Sequence, residues 1–373
     1  MIDDPAGGRQ ASAGWIQEDC KVRSESKRFT TEGAEPTEKK LKSSGFLCGL
    51  CALCGETLRF ASSRNDFAIV LAASPRGACF SVAPRYRGAM ARTRILDQIR
   101  ILDPVADCQR VVFLSTCYEF PFDTTRALEF ALFRTYCVPS ISGLLDRTGE
   151  FRARPQKRYD DTDLIVSELM EHGYESDRGR SALRKMNGLH GRFAIANDDF
   201  LYVLSTFIFE PIRWNMRFGW RPMIEAERLG HFHFWREVGR RMNIQAIPED
   251  YDEFEAFNRD YEATQFRFTD ANNRVGEATR ELFASWFPRP FAPLVRGAVL
   301  ALLDPPLIEA FGFPKPSPLM KRVVPAAVRL RGRIAGWLPE RKRPRLRTEI
   351  RHRSYPKGYE VVELGPPSDA IEG

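Results

Sequence analysis

The stretch RYDDTDLIVSELMEHGYESDRGRSALRKMNGLHGRF, residues 158–193, decides how this chain reads. It opens acidic, turns basic at its centre and holds two of the five histidines. Ile165, Leu169 and His172 follow i, i+4, i+7, and Thr162 and Arg158 extend the stripe backward. That spacing makes 159–172 a helix, with Gly173 as its stop. Asp177 reads as the cap of the next helix, which runs to His190 and is ended by Gly191. Ala182, Leu183, Met186, Leu189 and His190 share one face of it, and Arg178, Arg180, Arg184 and Lys185 lie elsewhere.

The same punctuation continues outward. Residues 126–137 read as a helix ended by Val138-Pro139. After a cap at Asn197 or Asp198, residues 200–209 are apolar nearly all round, the mark of a helix buried on every side, and Pro211 is expected to kink or break it. Residues 223–242 follow Pro222, with Ile224, His231, Trp235, Val238 and Met242 on one stripe. Further helices are expected at 249–265, 271–286, 292–303 and 318–337. Almost no alternating strand pattern is present. The expected fold is all-α: a single multi-helix globular domain over 91–338. Residues 1–90 form a leader, its first half Gly-, Ser-, Lys-, Glu- and Thr-rich and expected to be disordered, its second half unassigned. Residues 339–373 form a basic, extended tail.

A chain of 373 residues with 43% hydrophobic content can bury one large core or two moderate ones. Its formal net charge of +7 is local: Lys321 to Arg353 carries twelve Lys and Arg against Glu340 and Glu349. The body is therefore mildly acidic, which argues against a nucleic-acid groove. The basic segment is either solvated or meets an anionic membrane surface. No uninterrupted apolar window is long enough for a transmembrane helix, and Asp3 and Asp4 stand where a secretory signal is basic. The expectation is an intracellular protein, soluble or peripherally membrane-associated. Of the eight cysteines, Cys48, Cys51 and Cys54 alone have metal-like spacing, but no fourth ligand is close and position 58 is Leu.

His190 and His231 both sit on apolar helix faces. Each reads either as a core histidine or as an imidazole offered to a cofactor in an apolar cavity. His172 suits a helix C-terminus, and His352 lies in the basic tail. A di-iron bundle needs two Glu-x-x-His units, and only Glu349-x-x-His352 matches; Glu168/His172 and Glu227/His231 are spaced i, i+4. Arg158, Asp161 and Thr162 fall in one turn. They read either as a helix start, with Asp160 or Asp161 as cap, or as a polar cluster facing a cavity. In the second reading Arg158 holds a carboxylate and Thr162 hydrogen-bonds a bound oxygen species.

The segment QKRYDDTDLIVSELMEHGYESDRGRSALRKMNGLHGRFAIANDDFLYVLSTFIFEPIRW resembles the family of the fungal ER-bound oxygenase MpaB and of bacterial rubber oxygenase (latex clearing protein). The resemblance extends over most of residues 91–365, through EFPFDTTRALEFALFRTYCVPSISGLLDRTGEF, LLDPPLIEAFGFP and SYPKGYEVVELGP. It implies an all-α, globin-like core holding haem b, with iron on a histidine. In rubber oxygenase an Arg-x-x-Lys-Thr cluster about thirty residues earlier forms the distal side. Here Arg158-x-x-Asp161-Thr162 takes that place, and His190 lies 28 residues after Thr162. The resemblance thus implies His190 as the metal ligand, with His231 as the alternative, and Arg158, Asp161 and Thr162 at the reacting side. Asp161 replaces the distal lysine, so the sixth position is open or water-bound. The implied activity uses O2 to oxidise or cleave a C=C bond in a lipophilic, isoprenoid-like substrate. A haem-free helical lipid- or isoprenoid-binding protein is the rival from another class. The fungal enzyme has an N-terminal hydrophobic span, and none is read here. Ile334, Trp337 and Leu338 among Arg329, Arg331 and Arg333 are the candidates for peripheral contact instead.

Overall fold

Proline and short polar caps place most of the helix starts. The computed structural model describes residues 93–366, so the leader at 1–90 and Cys48, Cys51 and Cys54 lie outside the described residues. Among the described residues there are fourteen α-helices and no strand. They are α1 (Arg94–Ile101), α2 (Cys108–Leu114), α3 (Pro121–Thr135), α4 (Pro139–Arg147), α5 (Glu150–Ala153), α6 (Pro155–His172) and α7 (Asp177–His190). Then come α8 (Asn197–Phe218), α9 (Glu225–Arg241), α10 (Tyr251–Gln265), α11 (Asp270–Ser285), α12 (Ala292–Leu302), α13 (Pro305–Phe311) and α14 (Pro318–Trp337). Six of them carry Pro in the first two positions, where its missing N–H costs nothing. Ser176, Asp250, Thr269 and Ser317 cap α7, α10, α11 and α14 through their side-chain oxygens.

Three expectations shift. α6 begins at Pro155, so neither Asp160 nor Asp161 is a cap; both lie inside the helix. Ser176 rather than Asp177 caps α7, because its extended backbone lets the hydroxyl accept from Gly179 N at 2.9 Å. Pro211 neither ends nor interrupts α8, which runs 22 residues. Pro211 is buried, and α8 packs against α3, so tertiary contact offsets the backbone hydrogen bond that proline cannot make.

α8 is the central helix. Leu204, Phe207 and Ile208 meet Val166 and Leu169 of α6 and Phe234, Trp235 and Val238 of α9 in the main core. A second cluster joins Phe133 of α3, Val275 of α11 and Leu307 and Phe311 of α13. α6 and α7 press together at Gly179, where a Cβ would stand 1.9 Å from the Gly173 carbonyl oxygen. Only glycine permits that approach.

Residues 339–366 carry no α-helix, yet they are laid along α6. α6 holds Asp160, Asp161, Asp163, Glu168 and Glu171, and the basic segment answers them. Arg347 pairs with Asp163, Ser354 N donates to Asp160 at 2.8 Å, and Thr348 Oγ1 donates to Glu171 at 2.6 Å. Leu364 then seals Leu164 and Ile165 beneath Tyr355 and Tyr359. His352, in this segment, is buried. Its Nε2 lies 2.9 Å from the Arg347 carbonyl, and its Nδ1 lies 3.7 Å from Asp160.

Candidate active site

The turn of α6 that begins with Pro155 supplies one wall of a cavity of about 590 Å3, part of it open to solvent. Leu128 and Leu132 of α3, Phe151 of α5, Val166 of α6, Phe207 of α8 and Leu282 of α11 make it largely apolar. Polar side chains also line it, Glu129, Arg158, Tyr159, Thr162 and Asp163 among them.

Arg158 and Thr162 therefore come together on the cavity wall. Their geometry is specific. The Arg158 guanidinium donates to Thr162 Oγ1, and that hydroxyl donates to the Arg158 carbonyl at 3.0 Å. Thr162 has thus spent its proton on the backbone. The guanidinium also lies over the Phe151 ring, 5.7 Å from its centroid. Among the described residues no carboxylate is within ion-pair reach of Arg158. A half-buried cation on an apolar wall without a counter-charge favours an anionic ligand group.

Asp161 is not brought to this cavity. It is buried on another side of α6 and accepts from Lys157 Nζ at 2.9 and 3.1 Å and from the Tyr355 hydroxyl. Lys157 also donates to Gly365 O at 2.8 Å. This knot fastens the C-terminal segment to α6. Asp161→Asn should accordingly lower the thermal midpoint, at a cost of about 1–3 kcal/mol for a charge-assisted bond, and leave turnover near the wild-type value. A fall in turnover of about 100-fold at unchanged stability would instead place Asp161 in the proton chemistry.

His190 ends α7. Its ring meets Phe200 edge-on at 5.4 Å, on the α8 face that also carries Phe207. Nδ1 is buried with no hydrogen-bond partner. Burial, and then the Arg158 charge, push its pKa down to about 4, so the imidazole is neutral at pH 7. His231 is more deeply buried, with both ring nitrogens unpartnered, and burial alone pushes it down to about 4 as well. It sits on α9, beside the contact that Gly230 makes with Val111 of α2, and does not line the cavity. His190 does not line it either, but it alone of the two feels the charge of a cavity residue.

The carboxylates of the i, i+4 pairs are already engaged. Glu168 accepts from Arg178 and Tyr359, and Glu227 accepts from Arg221 and from Ile224 N. Among the described residues no three His, Cys, Asp or Glu side chains are grouped to hold a metal ion. A haem needs no such group. A neutral, unpartnered imidazole, apolar walls and an uncompensated arginine are what its iron, macrocycle and propionates require. Of these, the apolar walls and Arg158 line the cavity, while His190 stands outside the lining with the Arg158 charge acting on it.

The cavity also holds a group that the sequence reading missed. Glu129 is buried, accepts from the Tyr159 hydroxyl at 2.5 Å and pairs with Arg126 at 2.7 Å. Burial raises its pKa, and the Arg126 charge opposes that rise. A titratable carboxyl facing an apolar cavity is a candidate proton-transfer group. The signal was present, a lone glutamate within the apolar run RALEFALF, residues 126–133. Nothing in the run says which way that glutamate faces.

An all-α protein with such a cavity is matched by a family defined on sequence. The family described as ER-bound oxygenase mpaB/B'/rubber oxygenase, catalytic domain, matches residues 134–337, and the chain belongs to it. The ER-bound oxygenase mpaB of Penicillium roqueforti (strain FM164) is 32% identical over 197 residues, covering 47% of this chain and 65% of the relative. The mpaB of Penicillium brevicompactum is 31% identical over 218 residues, covering 50% and 55%. The mpaB' of the same species is 30% identical over 221 residues, covering 54% and 52%. The chain thus spans between about half and two thirds of the length of these relatives. Glu129 and the segment over α6 lie outside the matched residues.

Proposed function

We propose that this chain is a haem b-dependent oxygenase that uses O2 to oxidise or cleave a C=C bond in a lipophilic, isoprenoid-like substrate. The observation that carries the reading is the neutral imidazole of His190, unpartnered at Nδ1 and under the charge of Arg158, in a chain of an oxygenase family. His190 would hold the iron, and Arg158 would take a propionate. Bound haem supplies the activation of dioxygen. The chain's own residues do the rest. Leu128, Leu132, Val166 and Phe207 hold an apolar alkene and exclude water. Glu129, hydrogen-bonded by Tyr159 and paired with Arg126, holds or takes a proton at its carboxylate. Arg158 keeps Thr162 fixed rather than free to swing toward substrate.

An absorption spectrum of the purified chain tests this. A Soret band with near-stoichiometric haem is expected. A colourless preparation after haem supplementation would favour the haem-free lipid- or isoprenoid-binding protein. The reading also places the chain at a membrane surface, where such a substrate partitions. Among the described residues no single helix is long and apolar enough to cross a membrane.

A further inference from the structure

α14 is fastened to the body by one face only. Val324, Pro325 and Gly332 are buried there. A Cβ on Gly332 would stand 2.3 Å from the Phe218 carbonyl oxygen, so the two backbones touch. Arg331 donates to Asp123 at 2.8 Å and lies over the Phe122 ring, 3.7 Å from its centroid. These contacts fix the rotation of the helix about its axis, and with it the face turned outward.

That outward face is apolar. Leu319, Val323, Leu330, Ile334 and Trp337 are 68%, 44%, 50%, 45% and 77% exposed. At about 100° per residue their positions fall within an arc of roughly 60°. Leu338, just past the helix end, is 52% exposed. Arg322, Arg329 and Arg333 are exposed beside the stripe, and no acidic residue lies between positions 315 and 339. A soluble surface helix turns its charges outward and its apolar stripe to the core; α14 leaves a second apolar stripe outside.

We propose that this face of α14 binds an anionic membrane surface. The helix lies in the interfacial plane, its five-residue stripe in the boundary between headgroups and acyl chains and its cations among lipid phosphates. Trp337 stands at the end of the stripe, the amphipathic ring favoured at that depth. The inference rests on the membrane placement of the proposed function and names the surface and lipid class. Charge decides against a second copy, which in a two-fold contact would set cations against cations.

The test is co-sedimentation of the full chain with vesicles of phosphatidylcholine, with and without phosphatidylserine. The chain should pellet with phosphatidylserine vesicles, and binding should weaken as salt rises. Arg322→Gln/Arg329→Gln/Arg333→Gln should lower partitioning by about 100-fold. Leu330→Ser/Ile334→Ser/Trp337→Ser should lower it by about ten-fold or more. All six side chains are exposed, so circular dichroism and haem content should match the wild type. Wild-type chain that stays in the supernatant, or variants that bind as well as wild type, would overturn the proposal. So would a wild-type dimer that both triple variants dissociate. Unchanged haem content with lost vesicle binding separates this surface from the oxygenase reading.

Discussion

His190→Ala should be recovered without haem, whereas His231→Ala should keep it. His231 is buried and His190 half-buried, both are unpartnered at a buried Nδ1, and both are held neutral, so these features do not separate them. Position does. His190 closes α7 beside Phe200 and within the field of Arg158, a cavity residue. His231 lies on α9 with no charged group acting on it. The measurement is the ratio of Soret to protein absorbance, with far-UV circular dichroism to separate haem loss from unfolding. His231→Ala should lose stability through the space it leaves, about 2–4 kcal/mol, while its spectrum stays intact. Haem lost from His231→Ala and kept by His190→Ala would reverse the assignment.

The same two rings set an acid limit. Each has a native pKa of about 4 against 6.5 when free. Below 6.5 the unfolded chain binds protons that the native state does not, so stability falls as pH drops. The loss for each ring is ~3 kcal/mol, spread between 6.5 and about 4, and it levels off below. Apoprotein melting followed from pH 7 to pH 4 should show this slope, and His231→Gln should flatten it.

Glu129→Gln should retain haem and fold but lose turnover by about 100-fold or more. The substitution keeps an oxygen that can accept from Tyr159 and removes only the titratable charge beside Arg126. O2 consumption with a panel of isoprenoid alkenes is the assay. Because burial raises the Glu129 pKa, activity of the wild type should climb with pH through a value above the usual carboxylate range. Tyr159→Phe should have a smaller effect, since it removes one hydrogen bond and leaves the carboxyl in place. A fully active Glu129→Gln variant with a lowered thermal midpoint would make Glu129 a buried partner of Arg126 and nothing more.

Much of the fold was legible because helices announce themselves locally. The 3.6-residue stripe, proline at helix starts and glycine after His172 are properties of neighbouring residues, and the expected 318–337 helix is found as α14, Pro318–Trp337. Arg158 and Thr162 could be paired for the same reason, being one turn apart on one face. Asp161 shows the limit. One residue further round the helix, it faces Lys157 and Tyr355 instead of the cavity, and Tyr355 is 194 residues away in sequence.

By itself, then, the sequence determined which residues form helices and which faces of those helices are apolar, since both follow from spacing within a turn or two. Only the tertiary structure decided what each face meets. It carried α8 unbroken through Pro211 because α3 packs along it, and it turned Glu129 into a cavity that distant helices close. It laid the basic segment over the acids of α6, where charge complementarity acts between groups nearly 200 residues apart. It also decided which apolar stripe of α14 stayed outside, because the contacts of Gly332 and Arg331 take up the other face.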